Sequence, residues 1–404
     1  MFYIWSMRFL LVLLFLLTLY TADAQAVSGK VVQEGTGEAV AGASVFINNS
    51  SIGTVTAADG SFLLNTIPPG KYDLIVSAVG YETLIYTIGP EPVSRKLRFE
   101  MRTKVTEMQN VVVGGYVTET WEKWGKTFLE TFLGVTPIAR QCTIKNTKAL
   151  RFRFYKKQQL LEVVADEPLQ IDNALLGYVL QYDLQDFKMD FRAHSSYFAG
   201  YTLFKDKRNA AKKAIKKRRR DNYLGSTMHF MRSLYAGKIA DEGFRVRRMT
   251  RICNLEKERV RALFKKEIRL GKDITIAPKD TLEPDSSSYY KTILQQKDYE
   301  DVYSSWLLTA DSILIASGQG QRPAYWEHYL AITYMNATEA PEYLQYTGEA
   351  RKPVPRFSLL QLQTRQPLVI DANGNWSPPE SLITSGYWSW SDKVANMLPL
   401  DYVP

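Results

Sequence analysis

The sequence predicts a mostly β protein in two parts: a small N-terminal β-sandwich, then an α+β region in which a helical insertion interrupts an antiparallel sheet. Three observations carry this expectation. Short apolar segments separated by Gly, Pro and Asp-Gly turns fill residues 27–102. From Trp121 the composition becomes aromatic and basic, with two-residue alternation of apolar side chains through Leu184. Between about 205 and 271 the apolar period changes to that of helices. A chain of 404 residues, 45% of them hydrophobic, can build two or three ordinary cores.

Residues 1–24 read as a signal peptide. Arg8 flanks the apolar run "FLLVLLFLLTLY", Phe9 to Tyr20, and "ADA" follows at Ala22 to Ala24. Such a run is shorter than the roughly 20 residues a membrane-spanning helix needs, and suits a cleavable leader. Cleavage is expected after Ala24, leaving Gln25 as the mature start. The protein is therefore expected to be exported, to the periplasm or the outer membrane.

The sandwich is expected over 25–103. Its strands are "VSGKVV", "ASVFIN", "GTVT", "GSFLLN", "KYDLIVSAV", "ETLIYTI" and "KLRFEM". Tyr72, Leu74 and Val76 alternate, Asp59-Gly60 supplies a tight hairpin turn, and Pro68-Pro69-Gly70 is expected to join two antiparallel strands. A linker is expected over 104–120.

The α+β region is expected over 121–404. Trp124, Phe128 and Phe132 share one helix face, and Gly134 stops that helix. "ALRFRFY" and "LLEVVADEPLQI" then form a hairpin. Leu176, Tyr178, Leu180, Tyr182 and Leu184 occupy one phase, and Phe187, Met189 and Phe191 the other, so a turn or bulge is expected near Asp186. "YFAGYTLF" completes a sheet of five or six strands.

The insertion spans about 205–271. Ser226 is expected to cap a helix carrying Met228, Met231, Leu234 and Tyr235 and stopped by Gly243. Asn254 is expected to cap a second, burying Val260, Leu263, Phe264 and Ile268 and ending at Gly271. Strands return from "DITIAP" onward, through "HYLAITYMN", "FSLLQLQ" and "PLVIDANGNW".

Gly29, "GASV" at 42–45, "GTVTAADGSF" at 53–62, "PPGKYDL" and "VGYE" at 79–82 resemble the carboxypeptidase regulatory-like domain. That resemblance implies a seven-stranded, transthyretin-like sandwich whose glycines serve turns. "VTEMQNVVVGGY" resembles the connector that follows this domain in TonB-dependent outer-membrane receptors of Bacteroidota, which implies a cell-envelope setting. The helical stretches further on do not suit the wall of a barrel. The region after Leu150 resembles other Bacteroidota envelope proteins that join such a domain to a region of unknown function. It brings no catalytic residues.

A zinc carboxypeptidase needs a His and a Glu three residues apart, and a second His. Tyr197, Arg232 and Ala331 stand three residues after His194, His229 and His328, so neither metal nor cofactor is expected. Ser226 and His229 lie one helical turn apart without a nucleophile elbow, and read as a cap and a helix-face histidine. Asp166, Glu167 and Asp371 are candidate acids for the alternative, an envelope hydrolase acting on glycan or peptide with the sandwich as accessory. Trp376, Tyr387, Trp388 and Trp390 suit either sugar stacking or a core, and the strand-like alternation of Trp388 and Trp390 favours the core. Cys142 and Cys253 could pair once exported, or remain two buried thiols.

The formal charge is +9, and Lys205 to Arg220 holds ten Lys/Arg against Asp206 alone. The remainder is balanced, 41 basic against 41 acidic residues. Lys212, Lys213, Lys216, Lys217, Arg218, Arg219 and Arg220 are therefore the candidate anion-binding residues. For an exported chain the expected partner is an envelope protein, an anionic lipid at the membrane periphery, or an acidic glycan, and not nucleic acid. The competing reading is a solvated helix face, with Ala210, Ala211, Ala214 and Ile215 against the sheet. The function expected is non-catalytic binding or assembly in the envelope.

Overall fold

The protein is described by a computed structural model over residues 25–67, 71–89, 96–104, 115–268, 284–316 and 322–404. The expected signal peptide, the Pro68–Gly70 turn, residues 105–114 of the connector, Gly271 and "DITIAP" lie outside the described residues. The chain divides into two compact units. One runs to His229 and includes Trp390–Pro404; the other is Phe230–Ser389.

Seven strands open the first unit: β1 (Gln25–Gln33), β2 (Ser44–Ile47), β3 (Gly53–Val55), β4 (Ser61–Ile67), β5 (Tyr72–Ser77), β6 (Leu84–Ile88) and β7 (Leu97–Met101). They form two sheets, β4-β1-β7 and β3-β2-β5-β6, with β1 and β7 parallel. Val31, Val45, Leu64, Leu74, Val76 and Phe99 meet in one buried core.

Two expected hairpins are corrected here. Asp59 and Gly60 do form a tight turn, with Gly60 at φ 78° and the Asp59 carboxylate accepting the Ser61 N–H at 3.0 Å. Yet β3 pairs with β2 and β4 with β1, so the turn crosses from one sheet to the other. The reason is the seat of Gly60 against β1, where its carbonyl accepts the Val31 N–H at 2.9 Å. Likewise β4 and β5, which flank Pro68–Gly70, belong to different sheets.

All four residues of β2 are buried, which marks a strand covered on both faces. Phe46 and Ile75 face away from the sandwich core and pack against Leu203. Gly53 permits this approach, since a Cβ there would lie 2.8 Å from the Leu203 side chain.

Leu203 belongs to the next sheet, whose elements are β8 (Val117–Glu119), α1 (Trp121–Phe132), β9 (Cys142–Ile144), β10 (Leu150–Tyr155), β11 (Leu160–Ala165), β12 (Leu169–Asn173), β13 (Tyr178–Asp190) and β14 (Ser195–Asp206). The order is β8-β10-β11-β13-β12-β9, with β14 also paired to β13, giving seven strands rather than five or six. The long β13 serves two short strands on one edge and β14 on the other, so seven strands pair with no additional layer. The phase change is a bulge: Leu184 faces Gly200 and Asp186 faces Ala199, leaving Gln185 extra within one continuous strand. Tyr182 and Phe187 consequently both reach the core, where they contact Phe132 and Phe128 of α1. Gly134, at φ 97°, ends α1 as expected.

Two further helices are α2 (Lys213–Tyr223) and α3 (Thr227–Tyr235). Ser226 caps α3, its hydroxyl accepting the His229 N–H at 3.2 Å. The helix stops at Gly237 and not at Gly243, because the Gly237 and Lys238 N–H groups take up its last carbonyls, those of Leu234 and Ser233. At the chain end Val394, Ala395 and Leu398 return to the core of the first unit.

The second unit contains β15 (Phe244–Cys253), α4 (Leu255–Ile268), α5 (Pro284–Gln295), β16 (Tyr299–Tyr303), β17 (Arg322–Ala324), β18 (Tyr329–Thr338), α6 (Pro341–Thr347), β19 (Pro355–Leu362), β20 (Leu368–Ile370), β21 (Trp376–Ser377), β22 (Leu382–Gly386) and α7 (Tyr387–Ser391). Its main sheet has the order β16-β15-β18-β19-β22. Phe230, Phe244, Tyr334 and Trp388 join in ring contacts on the core face. Asn254 caps α4, accepting the Lys257 N–H at 3.0 Å, and Val260 is buried. Leu263 is exposed, contrary to expectation, while the side chains of Phe264 and Ile268 lie outside the described residues. Trp388 and Trp390 are buried, but on a helix rather than on an alternating strand.

Candidate anion-binding surface

The basic run starts on β14 and turns through residues 207–212 into α2. Lys207 is tied down first, pairing with Asp172 at 2.5 Å while its N–H donates to the Gly177 carbonyl at 3.0 Å. The buried face of α2 is Ile215, Arg219 and Tyr223, spaced by four. Ala210 is buried as expected, but Ala211 and Ala214 are exposed. Ala211 stands in the turn before α2 begins, and Ala214, one residue from Ile215, falls outside the narrow stripe that four-residue spacing makes. Gly177 sits under the stripe at φ 67°; a Cβ there would lie 3.0 Å from Ile215.

Arg219 behaves unlike its neighbours. Its guanidinium donates to the Leu176 carbonyl at 2.7 Å, the Gly177 carbonyl at 3.2 Å and the Asp206 carboxylate at 2.7 Å. It also stacks 3.6 Å over the Tyr178 ring. Four groups thus hold one planar cation, the geometry that suits Arg and not Lys. Arg219 anchors the helix and leaves the exposed set.

Lys212, Lys213, Lys216, Lys217, Arg218 and Arg220 are all exposed, together with Lys205 and Arg208. Lys217 meets Asp221 at 2.6 Å on the surface, and Arg218 donates to the Leu175 carbonyl at 3.3 Å. No acidic residue stands in the first turn of α2, where Lys213 and Lys216 crowd the positive end of the helix dipole. The arrangement is electrostatically unfavourable by itself, and a bound anion would relieve it.

The other candidates have local partners of their own. Asp166 pairs with Arg151 at 2.7 Å, and Glu167 accepts the Asn146 amide at 2.9 Å. Asp371 accepts the N–H groups of Asn373 and Asn375 in the turn before β21; burial raises its pKa against the lowering effect of those bonds. His229 is buried, its Nδ1 accepting the Gly225 N–H at 3.0 Å. Among the described residues no group of His, Cys, Asp and Glu is arranged to hold a metal ion. Tyr387, Trp388 and Trp390 are buried and Trp376 is half-buried.

Both cysteines are free. Cys142 is half-buried, and burial, helped by Asp172, pushes its thiol up to about 12. Cys253 is exposed at the end of β15, so the structure shows neither the pairing nor the two buried thiols that the sequence left open. Residues 250–253 of that strand pair with β16, beyond the stretch that pairs with β18.

Sequence reasoning missed the inward role of Arg219, and with it that of Asp206. A signal was present in the four-residue spacing of Ile215, Arg219 and Tyr223, but the charge of Arg219 placed it with its exposed neighbours.

A seven-stranded sandwich joined to an α+β region is the class of protein these features define. Residues 27–113 match the family model of the CarboxypepD_reg-like domain, and the chain carries that domain at its N-terminal end. No curated protein matches the chain. Among solved structures it has some likeness to a candidate carbohydrate-binding protein from Bacteroides uniformis, at 10% identity over 45% of this chain and 79% of that one. The TM-score is 0.16, too low for that likeness to bear on fold or function. Among the described residues no helix is long and apolar enough to cross a membrane.

Proposed function

We propose that this is an exported, non-catalytic binding or assembly protein of the cell envelope, and that the exposed face of α2 docks it on an anionic surface. The observation that carries the proposal is the fixed display of six cations, five on α2 and Lys212 at its N-cap. Ile215, Arg219 and Tyr223 clamp the helix to the protein, so Lys212, Lys213, Lys216, Lys217, Arg218 and Arg220 all project from a rigid support. Preorganisation of this kind lowers the entropic cost of binding. The hydrolase alternative gains no support, since the carboxylates named for it are engaged in an ion pair, an amide contact and a turn.

The test is sedimentation with vesicles of anionic lipid and, separately, retention on an immobilised polyuronate. A variant with the six exposed cations changed to Gln, and Arg219 kept, should fold normally. Each basic residue near an anionic leaflet contributes about 1 kcal/mol, so the variant should bind vesicles more than a hundredfold more weakly. Wild-type binding should also fade with salt, because the screening length is about 10 Å at 0.1 M. Equal binding of wild type and variant at low salt to both materials would leave α2 a solvated face.

A further inference from the structure

The first unit also holds a cleft that none of the α2 cations lines. It has a volume of about 200 Å³ and lies between the ends of β2 and β5 on one side and the β12–β13 edge on the other. Ser44 and Ser77 come from the sandwich, and Asn146, Glu167, Gln170 and Gln181 from the sheet. Val79, 71% exposed, stands at the lip.

The polar groups are fixed in advance. The Asn146 amide donates to Glu167 Oε1 at 2.9 Å and to the Pro168 carbonyl at 3.0 Å, while its Oδ1 accepts the Gln170 N–H at 2.8 Å. One carboxylate oxygen of Glu167 is thereby positioned. Its Oε2 and the Gln170 side-chain amide take no partner among the described residues. Across the cleft the Gln181 amide donates to Ser44 Oγ at 3.2 Å, and Ser77 Oγ donates to Asp183 at 3.2 Å.

We infer that this cleft binds one ring of a polyhydroxylated ligand, a single sugar unit. A free carboxylate oxygen accepts O–H donors, the Gln170 amide both donates and accepts, and Ser44, Ser77 and Gln181, bonded to neighbours, keep lone pairs that accept. A neutral molecule carrying adjacent hydroxyls satisfies all of these at once. An inorganic anion would meet the Glu167 charge, and an apolar ligand would strip the amides of water. The volume lies below the roughly 300–1,000 Å³ of drug-sized pockets, which limits the occupant to one ring.

The test uses the intact chain in saturation-transfer NMR with glucose, galactose, mannose and N-acetylglucosamine, and with ethanolamine as a small cation. Saturable binding of at least one sugar is expected. Glu167→Gln keeps the oxygen that accepts from Asn146 but removes the charge, and should weaken binding at least tenfold. Val79→Trp should close the lip and abolish it, and this variant decides the matter if the first does not fold. The six-residue Gln variant of α2 should bind sugar unchanged, which separates this site from the proposed function. The inference is overturned if no sugar binds, if ethanolamine binds and the sugars do not, or if a folded cleft variant binds as well as wild type.

Discussion

Arg219→Ala is the substitution on which the account of α2 depends most. The side chain is 10% exposed, and its removal leaves the Leu176 and Gly177 carbonyls without their charged donor. Hydrogen bonds to a charged group contribute about 1.5–3 kcal/mol each, and stacking of a desolvated cation on a ring about 0.5–2 kcal/mol. The ion pair adds little, since the Asp206 side chain is 62% exposed and such pairs are worth about 0–1 kcal/mol. These contributions share one group and do not add, so the expected loss is about 3–5 kcal/mol. Arg219→Lys should fall between wild type and Ala, because one ammonium cannot reach every acceptor of the planar fork. Arg220→Gln, one residue on and exposed, should stay within about 0.5 kcal/mol. Urea unfolding of the four proteins, followed by tryptophan fluorescence, makes the comparison. A loss under about 1 kcal/mol for Arg219→Ala would refute the anchoring role, and Arg219 would rejoin the exposed set.

Two further expectations concern titrating groups. At pH 8 an aromatic disulfide reagent should modify Cys253 quickly and Cys142 only on unfolding, since a thiol held at about 12 has roughly one part in ten thousand as thiolate. Two fast thiols would contradict the burial of Cys142, and none would show that the pair is bonded. In the second unit Arg351 donates twice to Glu339 and holds its carboxyl below the ordinary 4.5, burial opposing. A depressed folded-state pKa stabilises fully above the ordinary value and loses that contribution as pH falls through the folded one. Glu339→Gln should therefore melt below wild type at pH 7, by about 1–3 kcal/mol, with the two curves converging below pH 4.5. Curves that stay parallel from pH 7 to 3 would remove the ion pair as the cause.

Much of the local structure is legible in the sequence alone. The alternation through Tyr182 and Leu184, and its reversal at Phe187, placed a turn or bulge near Asp186, one residue from the bulge at Gln185, because a strand's period of two registers a single extra residue. Gly134, Ser226 and Asn254 marked helix ends because capping depends on atoms within a few residues. For the same reason the Asp59-Gly60 turn was found but its topology was not: the turn is local, whereas the sheets that receive β3 and β4 are chosen by β1 and β2.

What the sequence by itself determined is the sandwich module, the helix at 121–132, the long strands on either side of Asp186, the helix starts at Ser226 and Asn254, and the concentration of the whole charge excess between Lys205 and Arg220. Only the tertiary structure decided which of those cations face water. Arg219 turned inward because residues 42 and 43 positions earlier, in the turn before β13, present two carbonyls to it. It also decided that Phe46 and Ile75 are covered by Leu203, and that Glu167 and Gln170 share a cleft with Ser44 and Ser77. Periodicity reports which face of an element is apolar; contacts between elements more than a hundred residues apart leave no period to read.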